Sequence, residues 1–181
     1  DMGEEDSYMI VQFELFPSRT LLLCLVEGVT NAAELRQEVL KQKFEASFID
    51  AAMVADLFHL QAAANKALYA SSKDALTTHG IHTELIFCLL GGRSISNALS
   101  SFGIADTSKA LIVAIFDANP ETMTQVISSI KGSPAAMSRL KEHTDTERIK
   151  KVYKIGGDEL KAPGVTISDC AVSRIAVRDS M

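Results

Sequence analysis

The residues whose types suit them to chemistry are His79 and His82 with Glu84 close by, the run Gly91-Gly92-Arg93-Ser94, three cysteines and two groups of cations. His79-x-x-His82 with Glu84 has the donor types of a zinc site, yet no CxxC or HExxH accompanies it, and ligands three apart across a turn do not converge by themselves. A turn leading into a strand explains the same residues. Gly91-Gly92-Arg93 lies where a strand is expected to give way to a helix, the setting in which free backbone N–H groups and a helix dipole hold a phosphate. Neither GxxxxGK[ST] nor GxGxxG is present, and a tight turn needs its glycines without any ligand. Arg93 keeps the phosphate reading open beside the turn reading.

Cys24, Cys88 and Cys170 lie in LLLCLV, LIFCLLG and ISDCAVS, apolar surroundings that suit buried, reduced thiols rather than activated nucleophiles. No G-x-S-x-G elbow offers a serine in their place. The chain is therefore expected to be a binding protein, not an enzyme, with no metal and no cofactor. Its cations fall into two groups. His59, Lys66 and Lys73 are seven apart, so they drift only ~20° per step and line one basic ridge of a helix. Arg148, Lys150, Lys151 and Lys154 surround Ile149 and Val152, where charge ordinarily means a solvated face and otherwise a ligand site. The formal net charge of −5 excludes a general nucleic-acid binder and leaves room only for a local basic patch.

Elements that position these residues follow from periodicity. Val11, Phe13 and Leu15 alternate with Gln12 and Glu14, which predicts a half-buried strand over 8–15, and Phe16 to Arg19 is expected to turn the chain. Thr20 to Val26 is apolar on both faces, as a central strand would be. Asn31 and Glu34 resemble a capping box for a helix ending near Leu40. Asp56 caps a second helix to about Ser71, with a stripe of Leu57, Leu60, Ala64 and Leu68. His82 to Leu90 reads as a strand, Ser94 caps a helix carrying Ile95, Ala98, Leu99 and Phe102, and Ala110 to Phe116 reads as another strand. Asn119-Pro120 opens a helix with Met123, Val126, Ile127 and Ile130, and Gly132 closes it. Lys131 to His143 is polar and irregular. Thr144-x-x-Glu147 caps a short helix bearing Ile149, Val152 and Tyr153. Val165 to Arg178 forms a terminal helix in which Ile167, Ala171, Val172 and Ile175 make an apolar stripe, either core or a docking surface for a protein partner.

These elements predict an α/β fold of α+β character, a central, mostly antiparallel or mixed sheet of about four strands flanked by about six helices. With 181 residues, 47% of them hydrophobic and 23% charged, we expect a single domain over 1–181, residues 1–7 being disordered or tag-derived. No apolar run approaches the ~18 residues of a bilayer span, so no membrane is expected. The acidic start lacks a signal-peptide core, and with reduced thiols this predicts a cytoplasmic and nuclear location.

Taken in order, FELFPSRTLLLCLVEGVTNAAELR, AAANKAL, HTELIFCLLGGRSISNALSSFGI, ALIVAIF and IKKVYKI resemble the PRPK-binding protein family (TPRKB), the kinase-associated subunit of the KEOPS/EKC complex. The resemblance spans nearly the whole chain and weakens between Glu121 and Asp145. It implies an accessory α/β subunit that binds the small atypical kinase PRPK, and other KEOPS/EKC subunits through it, in a complex that makes threonylcarbamoyladenosine on tRNA. The stripe of Ile167, Ala171, Val172 and Ile175 becomes the expected kinase-binding surface. The resemblance also implies help in holding the tRNA 3′ end, for which Asn65, Lys66 and Arg93 are the matching positions, and Lys73 adds a further backbone contact. Affinity for tRNA is then expected to be weak, or confined to the assembled complex. The alternative is a small nucleotide- or phosphate-binding protein using Gly91-Gly92-Arg93.

Overall fold

The computed structural model describes residues 7–92 and 94–177. In chain order the elements are β1 (Met9–Phe13), β2 (Phe16–Glu27), α1 (Ala32–Leu40), β3 (Ser47–Asp50), α2 (Leu57–Ser72), α3 (Ile81–Leu90), α4 (Ile95–Phe102), β4 (Leu111–Phe116), α5 (Pro120–Ile127), β5 (Ser133–Ala135), α6 (Thr146–Tyr153) and α7 (Ile167–Ala176), with short 3₁₀ turns between some of them. The architecture is α+β, with one open antiparallel sheet of five strands, as the sequence led us to expect. The elements separate into two compact units. One runs to Ala51 and resumes over Gly103–His143; the other comprises Ala52–Phe102 and the chain from Thr144 onward.

The first unit holds the whole sheet, in the order β1-β2-β4-β3, with β5 pairing the end of β2 beyond β1. Every residue from Leu21 to Val26 is buried, which is why this segment does not alternate. The reversal between β1 and β2 falls at Glu14 and Leu15 rather than at Phe16 to Arg19. A break in pairing register after Gln12 accommodates Pro17, which has no N–H to give to a ladder. Leu22, Cys24, Val26, Phe48, Val113 and Ile115 share a core with Leu35 of α1 and with Met123 and Val126 of α5. Two short strands lie where the sequence showed none. β3 is four residues, all buried, and β5 is three residues inside the segment expected to be irregular. Asn31 makes no capping bond to α1; its amide instead donates to the Ser129 carbonyl at 3.0 Å and accepts from Lys131 N–H at 2.9 Å, stitching two loops together.

The second unit is helical and contains the main correction to the sequence reading. Residues 82–90, expected to be a strand, form α3. Glu84 to Leu89 are all buried, so there is no exposed face to set a period, and an apolar run of this kind fits either state. Contact with α2, α4 and α7 decides for the helix. The expected strand-helix-strand unit is therefore helix, turn, helix, and then strand. Glu84 also leaves the zinc reading: its carboxylate accepts from Thr77 N–H (3.0 Å), Thr78 N–H (2.9 Å) and the Thr78 hydroxyl (2.8 Å), closing the loop before α3. Asp56 and Asn119 cap α2 and α5 as their sequences indicate, and Thr166 with Asp169 forms a reciprocal capping box on α7. On α6 the cap is Asp145 rather than Thr144, whose hydroxyl donates to the Val54 carbonyl at 2.8 Å.

Candidate partner-binding site

α2 and α7 lie side by side and run the same way, fastened at both ends. At the first end the Ser168 hydroxyl donates to Asp56 Oδ1 at 2.6 Å; at the second, Lys66 Nζ donates to the Ile175 carbonyl at 2.6 Å. A helix leaves its last carbonyls without partners, and the lysine supplies one. α2 buries His59, Leu60, Ala63, Ala64, Ala67 and Leu68. Its opposite face carries Phe58, Ala62, Asn65 and Tyr69 at i, i+4, i+7 and i+11, one line along the helix. Phe58 and Tyr69 are 53% and 57% exposed, two aromatic rings open to a partner at either end of that line.

Beneath the line runs a buried polar chain. His59 Nδ1 accepts from Ala55 N–H at 3.1 Å, so the ring proton belongs on Nε2, which faces the Tyr153 hydroxyl at 2.7 Å. The hydroxyl in turn donates to the Leu89 carbonyl, one of the orphan carbonyls ending α3. Burial drives the His59 pKa down to about 4, against an opposing pull from Asp56, and burial also raises that of Tyr153. Both groups are neutral at ordinary pH. This overturns the basic ridge of His59, Lys66 and Lys73, because the histidine is fully buried and uncharged.

The other expected site residues fall as follows. Lys66, half-buried, gives one of its three N–H donors to α7. Asn65 Nδ2 donates to the Gln61 carbonyl at 3.1 Å and lies half-buried on the outward line. Lys73, at the exposed end of α2, places its ammonium 5.8 Å from the centre of the Tyr69 ring. Arg93 lies outside the described residues. Of the α7 stripe, Ala171 and Ile175 are buried within this unit, whereas Ile167 and Val172 are half-buried. The stripe read from the sequence is thus divided, two residues in the core and two at its margin. Arg174, on the same helix, donates to the Tyr153 carbonyl and grips Glu159 with two nitrogens at 2.6 and 2.7 Å. That hydrogen-bonded pairing, helped by Gly156 N–H, lowers the Glu159 pKa to about 2.

Gly91 sits at φ +64 as the left-handed cap of α3, and a Cβ there would come within 2.8 Å of the Arg174 carbonyl oxygen. Two physical demands, the backbone angle and the close approach of α7, explain this glycine. The expected βα phosphate turn is corrected accordingly to a turn between α3 and α4. Ser94 caps α4 by accepting from Asn97 N–H at 3.1 Å.

Elsewhere, His79 Nε2 meets the Thr83 hydroxyl at 3.3 Å, and no group of three His, Cys, Asp or Glu suited to a metal occurs among the described residues. The three cysteines are free and buried, and burial pushes the Cys24 thiol up to about 12. On α6, Lys150 pairs with Glu147 at 2.9 Å, and Lys150 and Lys151 occupy the last turn, where cations complement the helix dipole. Among the described residues no single helix is long and apolar enough to cross a membrane.

Sequence reasoning missed Phe58 and Tyr69. The available signal was their position off the apolar stripe, two aromatic residues on the face of α2 where solvent is expected.

Two exposed aromatic rings on one line of a helix are a surface suited to a protein-binding module. Comparison with known proteins narrows the class. The family model described as "Kinase binding protein CGI-121" matches residues 26–179. The "EKC/KEOPS complex subunit TPRKB" of Danio rerio is 33% identical over 174 residues, covering 95% of this chain and 98% of that protein. The "EKC/KEOPS complex subunit CGI121" of Coccidioides immitis is 31% identical over 148 residues, covering 77% and 72%, and the corresponding subunit of Schizosaccharomyces pombe is 26% identical over 171 residues, covering 91% and 96%. The chain belongs to the CGI-121 family of kinase-binding proteins.

Proposed function

We propose that this chain is a non-catalytic subunit of an EKC/KEOPS complex, that it binds the small atypical kinase PRPK directly, and that it supports threonylcarbamoyladenosine modification of tRNA. The observation that carries the reading is end-to-end similarity to proteins named as EKC/KEOPS subunits. Burial of all three thiols agrees with a protein that acts by contact rather than by bond-making. We place its work in the cytoplasm and nucleus, and the other subunits reach it through the kinase.

For the kinase surface we favour the end of the α2/α7 pair where Phe58 is exposed and Ile167 is half-buried, with Val172 further along α7. Large aromatic side chains anchored near the centre of an interface carry most of its energy. In a titration calorimetry experiment with the PRPK-type kinase, Phe58→Ala is expected to weaken binding roughly 30-fold, about 2 kcal/mol, with unchanged melting temperature. Ile10→Ala, on the sheet, is the control and is expected to leave affinity alone. Equal affinities for Phe58→Ala and the parent chain would reject this surface; no binding by the parent chain would reject the kinase itself.

A second reading rests on the pairing of Lys73 with Tyr69. An exposed ring beside an ammonium is the combination on which an unpaired RNA base stacks while its phosphate is neutralised, and Asn65 lies on the same line of α2. We infer a weak contact with the tRNA 3′ end, made only in the assembled complex because one ring and one ammonium neutralise few phosphates. Tyr69→Ala with Lys73→Glu is expected to lower tRNA affinity of the whole complex several-fold and to flatten its salt dependence, while leaving kinase affinity intact. An unchanged salt slope would count against it.

A further inference from the structure

We draw no further inference here: the strongest candidate, the outer edge of β1 with its exposed Ile10 and the protruding Leu15 of the adjoining turn, is an unpartnered sheet edge among the described residues, and nothing in the structure shows what covers it.

Discussion

The sheet unit and the helical unit differ in what their buried polar groups join. In the first, Leu22, Val26, Phe48, Val113 and Ile115 pack together, and the buried polar side chains are Ser47, Ser108 and Asp50, whose carboxylate accepts from the Ser108 hydroxyl at 3.1 Å beside β3. In the second, the interior contains an imidazole, a phenol and a carboxylate, each with its hydrogen bonds made. Their charges differ too. Over the described residues the sheet unit has ten Asp and Glu against eight Lys and Arg, and the helical unit eight against eight. The helical unit is balanced over those residues, so the net charge of the chain is a poor guide to what that unit can bind. Apolar burial is indifferent to direction, whereas hydrogen bonds fix the relative positions of helices, and in the unit bearing the aromatic line the buried polar chain ties α2, α3 and α6 together.

If the sheet unit depends on volume, Phe48→Ala should have the largest effect. The ring is buried, 5.2 Å from that of Phe44, and its loss is expected to cost roughly 3–5 kcal/mol, read from the urea midpoint. A cost below ~1 kcal/mol would mean that the four-residue β3 is peripheral, and the contrast would fail.

For the helical unit, the sharper probe is pH. His59 has a folded pKa of about 4 against an unfolded value near 6.5, so the unfolded chain binds more protons in between. The stability it contributes is complete above about pH 6.5 and is lost as pH falls towards 4, by about 3 kcal/mol in all. His59→Gln should remove that slope while lowering stability at neutral pH. An identical pH profile in the parent chain and His59→Gln would show that the imidazole is not held neutral in the core.

A smaller loss is expected for Gly91→Ala, about 2 kcal/mol, from left-handed backbone and the approach of the Arg174 carbonyl together. Hydrogen exchange should localise it: amides at the end of α3 and along α7 should lose protection while those of β2 and β4 keep theirs. Uniform loss of protection across the sheet would show that the turn matters to the whole chain.

Much of the fold was legible, and the reasons are local. β4 announces itself as a run of branched apolar residues, α5 by Asn119-Pro120, and α2 by Asp56 with its leucine stripe, because caps and periodicity act within a few residues. α3 was not legible, since a segment buried all round has no polar face to set its period. β3 and β5 were too short to signal and exist only as partners of longer strands. The candidate site was read less well. Asn65 and Lys73 lie on or beside the outward line of α2, Lys66 also reaches the end of α7, and Ala171 and Ile175 are buried where Ile167 and Val172 are half-buried, none of which a residue type announces.

The sequence by itself determined the class of the protein, the family to which it belongs, the helix caps and the central strand pair, all of which depend on residue types and short spacings. Only the tertiary structure decided that residues 82–90 coil rather than extend, that His59 is neutral and enclosed, and that Phe58 and Tyr69 face outward. Those outcomes depend on which groups meet across 64 to 109 positions of chain, as Leu89 with Tyr153, His59 with Tyr153 and Lys66 with Ile175 do. A periodic pattern shows that a face is apolar; what covers it depends on distant residues that the pattern does not identify.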